Sequence, residues 1–385
     1  MDNAEKLSPI LSHVPSASNE ADGHTLPVAW HYGNPLTEQS RLGPSSPGLV
    51  DLWDRTTLLV SGPEATTWLN NLISQKVNAI QEGQATWGLI LDVHGHVEHY
   101  FGISALENGL MLDVDSAHAD LLEEYLHRMI FWSQVEITRP PLAQLAIVGA
   151  EYGDFQLEGP NQAQGDAHTF RRSRRLGDVP VTDIFLPREE ITSHWDDLAH
   201  KATPTGLMAY TALRIQAREP DINLDLDERT IPHEVPAFIG SGIQGATQKE
   251  VREEGPTESA VHLNKGCYRG QETVSRVHNL GKSPRVLVQL HLDGSADHLP
   301  KVGCALNAGG RDIGRVGSSV HDADYGPIAL ALVKRGVVEK MAKNPAAVPN
   351  LMCDGVDAAI DPDDIRADDA ARPGRAAIRT LRKNN

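Results

Sequence analysis

Leu58, Leu59 and Val60 run unbroken into Ser61-Gly62-Pro63, a pattern that predicts a strand ending in a turn. Ala65, Trp68, Leu69 and Leu72 then recur at the spacing of one helix face. Apolar runs at 85–91 and 97–104 flank Val93-His94-Gly95-His96 and predict a hairpin. In its second strand Val97, His99, Phe101 and Ile103 alternate onto one face, so His99 is a polar group in an apolar row. A short strand at 110–114 precedes a helix at 117–129, with Leu121, Leu122, Tyr125, Leu126 and Met129 on one side. Strands at 135–138 and 142–148 close this first lobe. Residues 150–180 are turn-rich and contain a basic cluster of Arg171, Arg172, Arg174 and Arg175. A strand at 179–185 and helices at 195–201 and 205–216 follow, then an acidic loop at 219–234.

Residues 240–259 hold few apolar side chains and predict a mobile loop or insertion. Val274, Val277 and Leu280 form the next helical stripe, and Gly281 is its natural stop. From Arg285 the period changes to two. Apolar runs at 286–292, 304–306, 311–316 and 328–333, separated by turn residues, predict a small barrel. The two ends lack sustained periodicity. Residues 1–46 read as a mostly disordered arm with a short strand at 28–30, and 348–385 as a flexible tail. The divisions expected are therefore 1–46, 47–150, 151–284, 285–347 and 348–385.

Composition narrows the class. The chain has 385 residues, with 35 basic against 52 acidic side chains and a net charge of −17. Such a charge disfavours direct binding to nucleic acid. No apolar run is long enough to cross a membrane and no signal peptide is apparent, which predicts a cytoplasmic protein. Three cysteines, Cys267, Cys304 and Cys353, lie far apart and form no C-x-x-C motif or disulfide framework.

One segment concentrates reactive groups: Lys265-Gly266-Cys267-Tyr268-Arg269-Gly270-Gln271-Glu272. Its glycines permit unusual backbone conformations and close approach of a ligand. Cys267 precedes a predicted helix N-terminus and lies between two cations, surroundings that favour a thiolate. Glu272 falls in the first helical turn, where the dipole favours negative charge. Lys265, Arg269, Arg276, Lys282 and Arg285 make the region a positive island suited to an anionic small ligand. His94 and His96 lack an evident third ligand, so no metal site is expected. Trp53, Trp68, Trp87 and Trp132 read first as core residues.

The segment 265–272 resembles the K-G-C-[YF]-x-G-Q-E signature of the YgfZ family, folate-binding relatives of the glycine-cleavage aminomethyltransferase. Ile231-Pro232-His233-Glu234, Leu213-Arg214-Ile215, Ser61 to Ala65, Asp92 to Val97 and Ile328 to Ala331 resemble further landmarks, so the likeness covers roughly residues 45 to 340. It implies an α+β, GcvT/YgfZ-like fold: two intertwined α+β lobes around a central folate channel, plus a C-terminal antiparallel β-barrel. It also implies tetrahydrofolate or a derivative as cofactor, and a role in assembly or repair of iron–sulfur clusters, including those of a tRNA-thiolating enzyme. Client enzymes or assembly factors would be its partners.

In this resemblance Cys267 is the reactive thiol and Lys265 supports it. Arg269, Gln271, Glu272, His99, Gln216 and Glu234 are the candidate folate contacts. His99 stands where the aminomethyltransferases carry a catalytic Asp, and Gln216 where they carry a folate-binding Glu. Those departures point to an accessory protein rather than a glycine-cleavage enzyme. A folate-dependent one-carbon transferase and a non-catalytic scaffold are the alternatives.

Overall fold

The computed structural model describes residues 7–21, 23–149, 161–240, 256–279 and 281–365. Most of the loop expected at 240–259, part of the turn-rich segment after 150, Leu280 and the chain beyond 365 lie outside those residues.

Two sheets and a barrel organise the chain. The first sheet has the order Ala85–Leu91, Val97–Leu106, Gly109–Asp115, Arg55–Ser61, Glu136–Thr138. One face carries Leu58, Phe101, Ile103 and Leu112 against Trp68 and Leu69 of the Ala65–Leu72 helix and Leu122 and Leu126 of the Ser116–Arg128 helix. The i, i+3, i+4 spacing of those helical residues produces this, since it sets them on one stripe. Each buried Leu contributes roughly 1.5–3 kcal/mol. Asp115 starts the second helix by accepting the Ala117 N–H at 2.8 Å. Leu121, expected on the buried face, is exposed.

The second sheet has the order Gln162–Gly165, Phe170–Leu176, Val179–Pro187, Leu142–Val148, Gly48–Asp51, Thr203–Pro204. Leu142–Val148 was expected to close the first lobe, and Gly48–Asp51 to open it. Both instead pair inside the second sheet, so the lobes are intertwined. All seven residues of Leu142–Val148 are buried, as suits a central strand covered on both faces. Ala85, Leu106 and Met111 of the first sheet pack with Leu142, Phe170 and Phe185 of the second.

Charge also joins the lobes. Asp113 of the first sheet accepts from Arg55 at 2.7 Å and from Arg172 of the second sheet. Arg172 reaches on to Asp183 at 2.8 Å, and Arg174 grips Asp183 at 2.6 and 3.0 Å. Arg172, Arg174, Asp113 and Asp183 are all buried. Burial would raise both acids, but the guanidiniums outweigh it: Arg174 and Arg172 hold Asp183 at about 2, and Arg172 and Arg55 hold Asp113 low. The basic cluster read as part of a turn is thus half interior strand.

The barrel closes in the order Arg285–Leu292, Gly326–Lys334, Arg311–Asp322, Ala305–Ala308, Leu351–Cys353, Val356–Ile360. Its last two strands come from the segment expected to be tail. Leu351, Cys353, Val356 and Ile360 alternate into the barrel core. Strands of three and five residues among acidic neighbours carry too little periodic signal to stand out.

The N-terminal arm also departs from expectation. Ile10 and Val28 are buried against Leu49, Ile147 and Trp195. A short helix spans Ile10–His13 and another Pro35–Arg41, the latter capped by Asn34. Buried Glu38 accepts from Tyr32 N at 2.8 Å and Gly206 N at 2.9 Å. The arm's apolar residues are sparse and aperiodic. Their partners lie in distant segments, so local reading finds no core for them.

Candidate functional site

The Cys267 segment is built onto the first lobe. Ser74 Oγ donates to Ala260 O at 2.7 Å, and His262 N donates to Ser74 O at 3.0 Å. From there the chain turns through the signature into the Gln271–Asn279 helix, which buries Val274 and Val277. Gly281 N bonds back to Arg276 O at 3.0 Å and ends the turn.

Gly270 is required by close approach. Its φ is +79°, and a Cβ there would meet Asp92 O at 2.7 Å and Gly95 Cα at 2.9 Å. Gly95 has φ +88°, and its Cβ would meet Thr273 Cβ at 2.6 Å. Two glycines therefore let the signature loop rest on the hairpin turn at 92–96, where Thr273 Oγ1 donates to His94 O at 2.7 Å. Asp92 holds that turn by accepting from His94 N and His96 N, both at 2.8 Å.

Cys267 is exposed on this loop. The two cations expected to hold its thiolate are engaged elsewhere. Lys265 turns inward, donates to Asn70 O and lies 5.6 Å from the centre of the Tyr268 ring. Burial, with Lys76 nearby, brings its ammonium down to about 8. Arg269 pairs with Glu98 at 3.0 Å. Gln271 Nε2 donates to Lys265 O at 3.0 Å, so it braces the loop, and Glu272 is exposed in the first helical turn. The positive island is largely neutralised, because Lys282 pairs with Glu339 and Arg285 with Asp227 and Glu234. A cleft of about 300 Å³ flanks the segment, lined by Leu263, Tyr268, Gln271, Val274 and His278 among others.

His99 does not face this loop. A β-bulge sets Leu91 opposite Val97 and Ile90 opposite His99, leaving Glu98 as the extra residue. Val97 therefore parts from the row it was expected to share with His99, Phe101 and Ile103. The His99 ring packs on His118 and Tyr125 of the Ser116–Arg128 helix, at 6.3 and 6.1 Å between centroids. Burial, reinforced by His118, lowers His99 to about 4. Glu98 pairs with Arg269 instead.

The opposite face of the strand looks between the lobes. Tyr100 contacts Trp87 at 5.4 Å and Phe238 at 4.7 Å, and Arg172 lies over the Trp87 ring at 4.8 Å. The Tyr100 hydroxyl donates to Glu219, whose carboxyl is raised because burial outweighs that hydrogen bond and the nearby arginines. Trp87, Tyr100 and Glu219 are half-buried. Trp53 and Trp68 are core residues, whereas Trp132 is 98% exposed.

Two further candidates belong to the scaffold. Gln216 Nε2 donates to Asp322 of the barrel at 2.6 Å, which commits its amide away from the lobes. Glu234 is fully buried and accepts from Arg285 N at 3.1 Å, Nε at 2.9 Å and Nη2 at 2.8 Å, and from Ile231 N at 3.2 Å. It clamps the segment before the signature to the first barrel strand. Arg214 does similar work through Asp225 at 2.6 Å and Ser318 at 2.5 Å. Glu98, Tyr100 and Glu219 were missed in the sequence. Glu98 could have been noticed as the acidic neighbour of His99, but its partner Arg269 lies 171 residues further along the chain.

This architecture is the GcvT-like fold of the glycine-cleavage aminomethyltransferases. The crystal structure of aminomethyltransferase T from Bartonella henselae superposes with a TM-score of 0.71 over 91% of this chain and 94% of that one, at 19% identity. Several sequence relatives are likewise aminomethyltransferases. That of Streptomyces coelicolor is 25% identical over 309 residues, 74% of this chain and 78% of the relative. That of Bordetella petrii is 24% identical over 261 residues, 59% and 67% respectively. That of Thermotoga neapolitana is 23% identical over 359 residues, 86% and 91%. No family model matches the chain. Among the described residues no helix is long and apolar enough to cross a membrane.

Proposed function

We propose that this chain is a folate-binding, YgfZ-like accessory protein that uses Cys267 in the assembly or repair of iron–sulfur clusters of client enzymes. The observation that carries the reading is an exposed thiol on a loop whose position is set by the mutual approach of Gly95 and Gly270. A single thiol does not retain a cluster that takes about four protein thiolates. Cys267 therefore acts transiently, with a client or assembly factor supplying the remaining ligands.

The residues between the lobes fit a folate. A pterin presents a flat aromatic face and an edge of N–H donors. Trp87 and Tyr100 offer half-buried rings, and Glu219 offers a carboxylate beside the Tyr100 hydroxyl. These three would hold the ring, in place of His99 and Gln216. Bound tetrahydrofolate supplies secondary amines able to carry a one-carbon unit. Arg174, bonded to Tyr210 Oη at 2.8 Å, holds the polar wall of the same region.

A second reading, a folate-dependent one-carbon transferase, is favoured by the aminomethyltransferase relatives and by Glu98, a carboxylate beside the loop. Arg269 occupies that carboxylate and so weighs against it as a base.

Titration with tetrahydrofolate, followed by tryptophan fluorescence, tests the folate arm. Saturable binding is expected for the wild type and Cys267→Ala, with binding weakened at least several-fold in Glu219→Gln. Activity of iron–sulfur enzymes in cells carrying only Cys267→Ala tests the thiol. Full activity there would sink the accessory role, and tetrahydrofolate-dependent ammonia release from an aminomethyl donor would establish the transferase instead.

A further inference from the structure

The other two cysteines, distant in sequence, meet in the barrel. Leu306 is paired directly with Cys353 across the Ala305–Ala308 and Leu351–Cys353 strands. Cys304 lies two residues before Leu306 and so projects to the same side. Both side chains belong to the barrel's apolar cluster, Cys353 fully enclosed and Cys304 partly exposed. The two sulfurs lie close enough for each thiol to influence the other's ionisation. Gly303, with φ +87°, precedes the pair; Cys304 N donates to Lys301 O at 3.1 Å and Cys304 O accepts from Val316 N at 3.0 Å.

We propose that Cys304 and Cys353 form a redox-modification site, a dithiol that low-molecular-weight disulfides such as oxidised glutathione convert to an intramolecular disulfide. Cys304 opens the reaction because its sulfur is the accessible one. As a thiolate it attacks one sulfur of the small disulfide; that S–S bond breaks and one thiolate leaves. Cys353 then attacks the Cys304 sulfur of the mixed disulfide, its proton passing to the second departing thiolate. Two protein thiols and one small disulfide become one protein disulfide and two small thiols, so no other oxidant is needed. The new bond ties the Leu351–Cys353 strand, part of the hairpin that closes the barrel, to the turn before Ala305–Ala308.

The surroundings set the rate. Burial, with Asp354 adding, raises the Cys304 thiol, and burial pushes Cys353 up to about 12. Both are protonated at neutral pH, so exchange is slow there and accelerates about tenfold per pH unit on the alkaline side, following the thiolate fraction.

The test uses the full chain, oxidised glutathione, alkylation under denaturing conditions and peptide mapping by mass spectrometry. The expected product is a Cys304–Cys353 cross-linked peptide with the loss of two hydrogens, reversed by dithiothreitol, while Cys267 is recovered separately as free thiol or mixed disulfide. In Cys304→Ala, with folding checked by circular dichroism, Cys353 should remain reduced and be recovered alkylated, without a glutathione adduct. Recovery of both thiols fully alkylated after prolonged oxidation at pH 8.5 would overturn the proposal. So would a glutathione adduct persisting on Cys304, or a cross-link of either barrel cysteine to Cys267.

Discussion

Glu98 and Arg269 meet at 3.0 Å, where the strand carrying Glu98 holds one residue more than its partner. The bulge leaves Glu98 without a cross-strand partner. The pair is half-exposed, so it contributes at most about 1 kcal/mol to stability. Its role is to tie the Cys267 loop to the hairpin. Glu98→Ala should leave the melting transition nearly unchanged yet speed tryptic cleavage after Arg269 several-fold. Equal cleavage rates in the two proteins would mean that the pair does not order the loop.

The two signature glycines should behave differently. Gly270→Ala adds a Cβ at positive φ that meets Asp92 O and Gly95, and should cost about 1–3 kcal/mol in urea unfolding. A Cβ at Gly266 would have no neighbour within 4 Å, so Gly266→Ala should stay within about 0.5 kcal/mol of wild type. Equal effects at both positions would contradict the docking geometry.

Asp183 is enclosed by Arg172 and Arg174, and removing its charge leaves two buried guanidiniums short of a partner. Asp183→Asn should destabilise by about 3–5 kcal/mol at pH 7. The folded value of about 2 lies below the ordinary 3.8, so this acid contributes stability that is fully present above pH 4 and lost as pH falls towards 2. Denaturation midpoints from pH 5 to 2 should show that limb flattened in the variant.

His99 gives a second pH limb of the same sign. Its folded value of about 4 lies below 6.5, so the unfolded chain takes up the proton first as pH drops. Stability from a neutral buried ring is present above pH 6.5 and disappears by pH 4, a change of roughly 2–4 kcal/mol. His99→Phe should remove this dependence between pH 6.5 and 4. A wild-type curve that is flat over that window would show that the ring takes its proton without resistance.

Local information in the chain determined a good deal. Helical spacing located Ala65–Leu72 and the helix after the signature, and alternation located the hairpin around Gly95 and four barrel strands. These are readable because each element's apolar face is written at a fixed period within it. The eight-residue signature likewise marked Cys267. Orientation and pairing required the tertiary structure, because they depend on residues far apart in sequence. Glu98 rather than His99 meets the loop, through Arg269. Asp113 and Asp183 drew Arg172 and Arg174 into the interior, and Arg285 made Glu234 a clamp. Barrel closure recruited Leu351 to Ile360 from an apparent tail and brought Cys304 beside Cys353. Short strands and buried charges are stabilised by partners that no window of neighbouring residues contains.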